Sequence, residues 1–314
     1  MPVDLEFPLE VTAAVPVAAG VRSLRLERGD RATLPPWEPG AHIDVVLPNG
    51  LVRQYSLCGD LQDDRAYEIA VLRAPESRGG SEYVHTRIRV GDVITVRGPR
   101  NNFTFAARQR ALFIAGGIGI TPVLPMIRQA DREGIDWELA YGGRTRGSMA
   151  FADELQLYGD RVRVAPEDER GPLDLSALLG TVRPDTQVYC CGPTGLLDAV
   201  QRLCEPWPAG SLHMERFSGT STDGPSDAFT VVAGRSGVVC EVAASESIAD
   251  ALARAGVIVQ TSCREGLCGA CETQVLDGVP DHRDQLLGDD DREAGTTMLI
   301  CVSRASSPQL ILDL

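Results

Sequence analysis

The sequence predicts three consecutive domains: an antiparallel β-barrel, a parallel α/β domain and a small α+β domain. At 314 residues the chain is too long for one ordinary hydrophobic core, since a domain usually has roughly 100 to 200 residues. Near residue 111 the hydrophobic pattern changes from short alternating runs to strands that alternate with helices. A polar stretch rich in Gly, Ser and Asp, residues 218–227, then precedes a segment with clustered cysteines.

The barrel is predicted for residues 1–107, where Gly and Pro separate short alternating runs. These runs are LEVTAAV, VRSLRLE, HIDVVL, RQYSL, YEIAVLR and DVITVRG. Regularly spaced short strands of this kind are typical of an antiparallel barrel.

The parallel α/β domain is predicted for residues 108–220. Apolar strands there precede helical patterns: ALFIA before PVLPMIRQA, WELAY before MAFADELQLYG, and QVYCC before PTGLLDAVQRLC. Residues 221–227 are predicted to be a linker and residues 228–314 a third domain. That domain opens with a hairpin, FTVVAG and GVVCEV, and Ser247 with Asp250 should cap the helix that follows.

Charge and composition argue against binding to nucleic acid or anionic lipid and against a membrane-spanning segment. The net charge is −14 and all 30 basic residues are arginine, which disfavours nonspecific binding to nucleic acid or anionic lipid. No apolar run approaches the roughly 18 to 20 residues that cross a membrane, and the acidic first residues lack a signal pattern, so we expect a cytoplasmic protein. Residues 221–314 hold 15 Asp and Glu against 6 Arg, which predicts a docking partner at this domain. We expect the chain to be a monomer.

The cysteine spacing indicates an iron-sulfur cluster. The pattern C-x4-C-x2-C, with a fourth cysteine after 29 further residues, is formed by Cys263, Cys268, Cys271 and Cys301. This is the ligand spacing of a plant-type [2Fe-2S] centre. Gly266 and Gly269 allow tight turns, so that amide N–H groups point at the sulfurs. The alternative, a four-cysteine zinc site, usually has two C-x2-C pairs. Packing roles are expected for Cys58, Cys190, Cys204 and Cys240.

A glycine-rich turn after the strand ALFIA predicts a nucleotide site. The candidate residues are Gly116, Gly117, Gly119, Thr121 and Pro122. The glycines let a backbone approach phosphate, and Thr121 is suited to N-cap a helix that begins at Pro122. The turn lacks the third glycine of the standard dinucleotide fingerprint.

Two further motifs follow predicted strands, at the edge where open α/β sheets bind ligands. These are YGGRTRG and CGP, with candidate residues Gly142, Arg144, Arg146, Cys191, Gly192 and Pro193. No histidine adjoins Cys191 in sequence, so covalent catalysis by this thiol is not favoured.

Three motifs in the barrel are suited to a flavin. They comprise Arg53, Gln54, Tyr55 and Ser56; Val71, Leu72 and Arg73; and, after Arg78, Gly79, Gly80 and Ser81. A tyrosine can stack on an isoalloxazine ring, a serine can bond its N5 or O4 edge, and an arginine can pair with phosphate. The last motif opens a helix, whose free N–H groups suit a phosphate.

Together these motifs, from Leu9 to Leu314, resemble the phthalate dioxygenase reductase family of the ferredoxin reductase superfamily. Residues 228–314 resemble the plant-type ferredoxins, which have a β-grasp fold. The resemblance implies FMN rather than FAD, NADH as electron donor and a Rieske-type oxygenase as acceptor. It also implies a catalytic set beside the flavin and nicotinamide: Ser56, Thr121, Cys191, Glu215 and Phe217. By the same resemblance, Arg144 and Arg146 lie near the adenosine.

Several alternatives remain open at this point. A P450 is an alternative acceptor, because similar modules occur fused to P450 haem domains. NADPH is an alternative donor, because Arg144 and Arg146 could accept a 2′-phosphate. No single residue decides between FMN and FAD. Methane monooxygenase-type reductases carry the ferredoxin first, and a redox-sensing regulator or a simple ferredoxin carrier would need no hydride site. A reductase therefore accounts best for all the motifs.

Overall fold

The computed structural model describes residues 5–74, 79–107, 109–219 and 227–314. It divides into two compact units, Met1–Arg216 and Phe217–Leu314. Arg78 and most of the predicted linker lie outside the described residues. Within those ranges no helix combines the length and apolar character needed to cross a membrane.

Six antiparallel strands form the barrel predicted for the first segment, in the order β4-β3-β6-β1-β2-β5. They are β1 (Glu6–Ala18), β2 (Val21–Glu27), β3 (Ala41–Val46), β4 (Val52–Ser56), β5 (Ala66–Leu72) and β6 (Val93–Asn101). A bridge between Leu57 and Ile69 joins the two edge strands, so the sheet closes on itself. Helix α1 (Gly80–Thr86) follows β5.

The predicted parallel sheet is also present, in the order β11-β10-β7-β8-β9. Its strands are β7 (Arg110–Gly116), β8 (Asp136–Gly143), β9 (Val162–Pro166), β10 (Thr186–Cys191) and β11 (Leu212–Glu215). Its helices are α2 (Ile120–Glu133), α3 (Ala152–Gln156), α4 (Glu167–Arg170), α5 (Leu175–Leu179) and α6 (Thr194–Cys204). The chain passes outward from β7 to β9 and then returns to the other side of β7 with β10. Open sheets of this kind bind ligands at that reversal, between the carboxyl ends of β7 and β10.

The barrel and the parallel sheet share hydrophobic packing. Val21, Cys58 and Ala70 of the barrel belong to the same buried cluster as Val123 and Ile127 of α2. Because burial of this shared surface stabilises both halves together, the two form one compact unit. The residue at which one domain gives way to the other stays a prediction.

The second unit is a five-stranded sheet in the order β13-β12-β18-β14-β16, with a separate pair formed by β15 and β17. Its elements are β12 (Phe229–Ala233), β13 (Val238–Val242), α7 (Ile248–Arg254), β14 (Glu272–Asp277), β15 (Pro280–Asp281), α8 (Asp289–Ala294), β16 (Thr297–Leu299), β17 (Arg304–Ala305) and β18 (Gln309–Leu312). Helix α7 begins as the sequence predicted, because the Ser247 hydroxyl accepts the Asp250 N–H at 3.1 Å.

Candidate cofactor sites

The four motif cysteines lie near enough to one another in the second unit for their thiols to interact. The thiol of Cys263 interacts with those of Cys268 and Cys301, and the thiol of Cys271 interacts with that of Cys301. Strand β16 ends at Leu299, and Cys301 lies in the turn that follows it. A strand would direct alternate side chains to opposite faces of the sheet, whereas the turn lets Cys301 meet the loop.

Backbone amides surround these sulfurs. The Glu265 N–H donates to Cys263 Sγ at 3.3 Å, and the Ala270 N–H donates to Cys268 Sγ at 3.4 Å. The neighbouring thiols of Cys268 and Cys301, with a smaller contribution from backbone amides, lower the pKa of the Cys263 thiol below its usual range. Four neighbouring sulfurs, two of them with amide donors, suit a [2Fe-2S] cluster, because such hydrogen bonds stabilise negative charge on the ligands.

The tight cluster loop depends on Gly266, whose φ is +70°. A Cβ at this position would lie 2.7 Å from Val302 Cγ2 and 2.9 Å from the Asp284 Cα. Both the backbone conformation and the lack of space therefore require glycine.

Asp284, a residue that sequence reasoning missed, stabilises the segment that contacts the cluster loop. Its buried carboxylate accepts the Leu286 and Leu287 N–H groups at 3.1 and 2.9 Å. The neighbouring Gln285 N–H donates to the Gly266 carbonyl at 3.0 Å. The motif DHRD offered no signal of this role, because acidic residues are common on surfaces.

The glycine-rich turn after β7 contacts the CGP loop after β10. A Cβ on Gly119 would lie 2.3 Å from the Cys191 carbonyl oxygen, and one on Gly116 would lie 2.7 Å from Pro193 Cδ. Gly117 has a φ of +55° and Gly192 also closely approaches Gly116. These glycines thus bring the two loops into contact at the expected crevice.

The predicted N-cap at Thr121 is wrong. A 3-10 turn, Gly117–Gly119, leads directly into α2, whose N-cap residue is Gly119. Thr121 therefore lies inside the first turn, with Pro122 after it, and its hydroxyl donates to the Ile118 carbonyl at 2.9 Å. Thr121 is buried beside the crevice.

The two arginines after β8 occupy different environments. The Arg146 guanidinium donates to Asp153 Oδ1 at 2.6 Å and to Gln156 Oε1 at 2.8 Å, so it is engaged with α3. Arg144 is exposed, directly after the buried end of β8 that includes Gly142. Arg144 is therefore better placed than Arg146 to contact a coenzyme.

Three residues of the predicted catalytic set approach one another. Cys191 pairs in register with Glu215 on the adjacent parallel strand, and the Ser56 hydroxyl of the barrel donates to Glu215 Oε2 at 3.4 Å. Burial raises the pKa of the Cys191 thiol well above its ordinary value, so the thiol is neutral and not an activated nucleophile. Phe217 is the first residue of the second unit and is 42% exposed; its role stays a prediction.

The Glu215 carboxyl group has the largest pKa shift of any acid in this site. The residue keeps some exposed surface, but protein atoms surround the carboxyl group, and this burial raises its pKa from 4.5 to about 8. The Ser56 hydrogen bond acts in the opposite direction. At neutral pH the carboxyl group is therefore mostly protonated.

The raised pKa of Glu215 predicts a pH dependence of stability. Because the folded state binds this proton more tightly than the unfolded state, the free energy of unfolding should fall as pH rises from about 4.5 to about 8, by a few kcal/mol at most. Glu215→Gln should remove this decline. Urea unfolding of flavin-free protein at pH 6 and pH 9 checks it, and parallel pH profiles for wild type and variant would contradict it.

Arg53 lies across the N-terminus of α1, next to the GGS motif. A Cβ on Gly80 would lie 2.6 Å from both Cγ and Nε of Arg53, and Gly79 has a φ of +85°. The Ser81 hydroxyl accepts the Ala74 N–H at 3.1 Å. The structure thus brings the RQYS and GGS motifs together, with glycine making room for the arginine, as a phosphate site requires.

The other predicted flavin residues differ in their hydrogen-bond partners and in their burial. Gln54 donates to Asp44 Oδ1 at 2.9 Å, on the face of β4 opposite to Arg53 and Tyr55. Arg73 forms a bidentate pair with Glu82, at 2.6 and 2.9 Å. Burial raises the pKa of Tyr55 to about 12, as expected for an enclosed phenol. Val71 is buried and Leu72 is 38% exposed.

Comparison with known proteins agrees with this arrangement. The 2Fe-2S iron-sulfur cluster binding domain family matches residues 231–306, and the oxidoreductase NAD-binding domain family matches residues 113–202. Phenoxybenzoate dioxygenase subunit beta of Ectopseudomonas oleovorans is 44% identical over 286 residues, which is 90% of either chain. Phthalate dioxygenase reductase of Burkholderia cepacia is 40% identical, covering 98% of this chain and 97% of that one.

Two solved structures are similar over 98% of this chain. A phthalate dioxygenase reductase, described as a modular structure for electron transfer from pyridine nucleotides to [2Fe-2S], is 39% identical with a TM-score of 0.75 and is 98% covered. An intact type IV self-sufficient cytochrome P450 monooxygenase is 43% identical with a TM-score of 0.90, but this chain spans only 41% of it. Identity at this level, along almost the whole length of complete reductases, shows common descent. The chain belongs to the phthalate dioxygenase reductase family and is an oxidoreductase that uses NADH, a flavin and a [2Fe-2S] cluster.

Proposed function

We propose that this chain is the reductase component of an oxygenase system and transfers electrons from NADH through FMN and its cluster to a Rieske-type oxygenase. The observation that carries this proposal is the approach of Ser56, from the barrel, to Glu215 at the carboxyl edge of the parallel sheet. The flavin strand and the nucleotide crevice therefore meet at one place. The resemblance to reductases of dioxygenases and monooxygenases supports the same function.

The chain's own residues would align the two rings and keep water away from them. When bound, the flavin accepts a hydride from the nicotinamide and the cluster carries one electron at a time. Buried Thr121 and Cys191 would form an apolar wall for the nicotinamide. The Ser56 hydroxyl would orient the flavin edge, while protonated Glu215 avoids placing a negative charge beside the coenzyme.

FMN is proposed over FAD because of the resemblance to the phthalate dioxygenase reductase family, and Arg53 with the GGS motif would hold its phosphate. Tyr55 and Arg53 lie on the same face of β4, so a ring stacked on Tyr55 and a phosphate paired with Arg53 would belong to one mononucleotide along this strand. The flavin released by heating the purified protein identifies the cofactor. Release of FAD would overturn this part of the proposal.

The oxygenase is proposed to dock near the acidic second unit, close to the cluster. The 15 acidic residues of the last third, including Asp289, Asp290 and Asp291 in the first turn of α8, favour a basic partner surface. A P450 is the second candidate acceptor, favoured by the TM-score of 0.90 to part of a P450 monooxygenase. NADH oxidation coupled to product formation, with each acceptor supplied separately, decides between them.

A monomer in the cytoplasm is the proposed state of the chain. Five of the nine cysteines lie outside the cluster motif and form no disulfide, which fits a reducing compartment. Light scattering of the purified protein measures the oligomeric state.

The preference for NADH or NADPH, measured as the ratio of the two kcat/KM values, tests the proposed nucleotide site. Because the resemblance implies NADH as electron donor and Arg146 is already engaged by α3, we expect NADH to have a higher kcat/KM than NADPH at one fixed ionic strength. Arg144→Ala should then change the ratio of the two kcat/KM values by less than about threefold, since no 2′-phosphate contact is lost. A preference for NADPH beyond about tenfold, about 1.4 kcal/mol, would contradict the assignment.

A further inference from the structure

Arg128 of α2 links the barrel to the nucleotide domain outside every cofactor motif. Its Nη1 donates to the carbonyl oxygens of Cys58 and Gly59, at 3.0 Å in each case. Its Nε and Nη2 donate to Glu154 Oε1 of α3, at 3.2 and 2.6 Å. One side chain thus joins a loop of the barrel to two helices of the nucleotide domain.

The barrel loop that accepts these bonds is itself held in place. The Cys58 N–H donates to the Glu68 carbonyl of β5 at 2.8 Å. A Cβ on Gly59 would lie 3.1 Å from the Glu68 Cβ, so the loop lies directly on β5. Movement of this loop relative to α2 would therefore require breaking the contacts of Arg128.

The location of this link relates it to both halves of the proposed hydride site. Cys58 follows Ser56 of the flavin strand by two residues. Thr121 lies seven residues before Arg128 on α2, which is about 10 Å along the helix. Arg128 therefore connects the elements that carry the two sites without belonging to either.

Arginine is well suited to this task and has a natural control nearby. A planar guanidinium has five donors in a fixed arrangement, whereas a lysine ammonium is a single compact charge that cannot reach acceptors on both sides. Arg132, one turn further on α2, faces the same loop, but its Nη1 is 3.9 Å from Asp60 Oδ1, beyond hydrogen-bonding distance. The two arginines carry the same charge on the same helix. Arg128 is hydrogen-bonded to the barrel loop, whereas Arg132 lies beyond hydrogen-bonding distance of Asp60.

We infer that Arg128 is a positioning residue for hydride transfer, which holds the nucleotide turn at a set distance from the flavin strand. The inference rests on the flavin and nicotinamide sites proposed above. A displacement of about 1 Å between reacting groups can slow a reaction about 100-fold. Loss of the link should therefore slow flavin reduction by NADH, while the cluster, in the other unit, keeps its spectrum.

Stopped-flow reduction of the flavin-loaded full chain by saturating NADH tests this inference. Rate constants are taken from the bound flavin alone, so that lower flavin occupancy or stability does not affect them. We expect Arg128→Gln to slow the step about 10- to 100-fold and Arg128→Lys about 3- to 10-fold. Arg132→Gln should stay within about twofold of the wild type. Deuterium at the transferred position of NADH should give a larger isotope effect in Arg128→Gln, because hydride transfer itself has become limiting.

The outcomes separate this inference from the function on which it rests. If NADH fails to reduce the wild-type flavin, the proposed sites are wrong. If the wild type reacts and both Arg128 variants stay within about twofold of it, the positioning role is overturned while the sites stand. Equal slowing in Arg132→Gln overturns it as well. If Arg128→Gln does not fold, the rate constant of Arg128→Lys decides by the same criterion.

Discussion

Replacement of Cys268 by serine is expected to lower NADH-dependent cytochrome c reduction by about 100-fold or more, because a serine hydroxyl does not replace a thiolate ligand of the cluster. Ferricyanide, which takes electrons directly from the flavin, should still be reduced at close to the wild-type rate. The two acceptors, assayed on the same preparation with iron content and visible spectrum, check this result.

The matched control for this experiment is Cys240→Ala. Cys240 is buried in the core of the same unit and lies outside the C-x4-C-x2-C motif. Its replacement should leave iron content and cytochrome c reduction unchanged. A Cys268→Ser protein with full activity and normal iron would show that Cys268 is not a ligand.

Removal of the proposed phosphate contacts should have the second largest effect. Arg53→Ala removes a charge-assisted contact and Ser81→Ala an N-terminal one, each contributing about 1.5 to 3 kcal/mol to FMN binding. The double variant should bind FMN about 100- to 1000-fold more weakly, somewhat less than the sum, since both groups would contact one phosphate. Quenching of flavin fluorescence on titration measures the dissociation constant.

Riboflavin, which lacks the phosphate, distinguishes this site from general damage to the barrel. Its affinity should be nearly the same for the wild type and the double variant. Arg87→Ala, an exposed arginine at the other end of α1, should leave FMN binding unchanged. Equal loss of FMN and riboflavin affinity would mean that Arg53 and Ser81 support the fold instead of the phosphate.

Local sequence signals predicted most of the elements on which these experiments depend. Strand β2 has the predicted bounds, Val21–Glu27, because its alternating apolar residues bury one face. The Ser247 cap of α7 was equally predictable, since it needs only residues three positions apart. Local rules failed at the start of α2. Thr121 had the right chemistry for an N-cap, but a 3-10 turn started the helix earlier.

Contacts between distant parts of the chain were beyond sequence reasoning. Arg128 bonds to carbonyls 69 and 70 residues away, and Ser56 bonds to Glu215 across 159 residues. Neither pairing leaves a periodic pattern, because each depends on how two packed elements meet. Arg146 resembled Arg144 in sequence, and only its contacts with α3 separated their environments.

The sequence by itself determined the order of the domains, the cluster ligand pattern and the glycines of the cofactor loops, because each depends on residue type and short spacing. Only the tertiary structure decided which side chains converge, which are already engaged, and how far burial raises the pKa of Glu215. The physical reason is that desolvation and hydrogen-bond geometry are properties of the surroundings in space. Those surroundings form only when the barrel and the parallel sheet bury their shared apolar surface against each other.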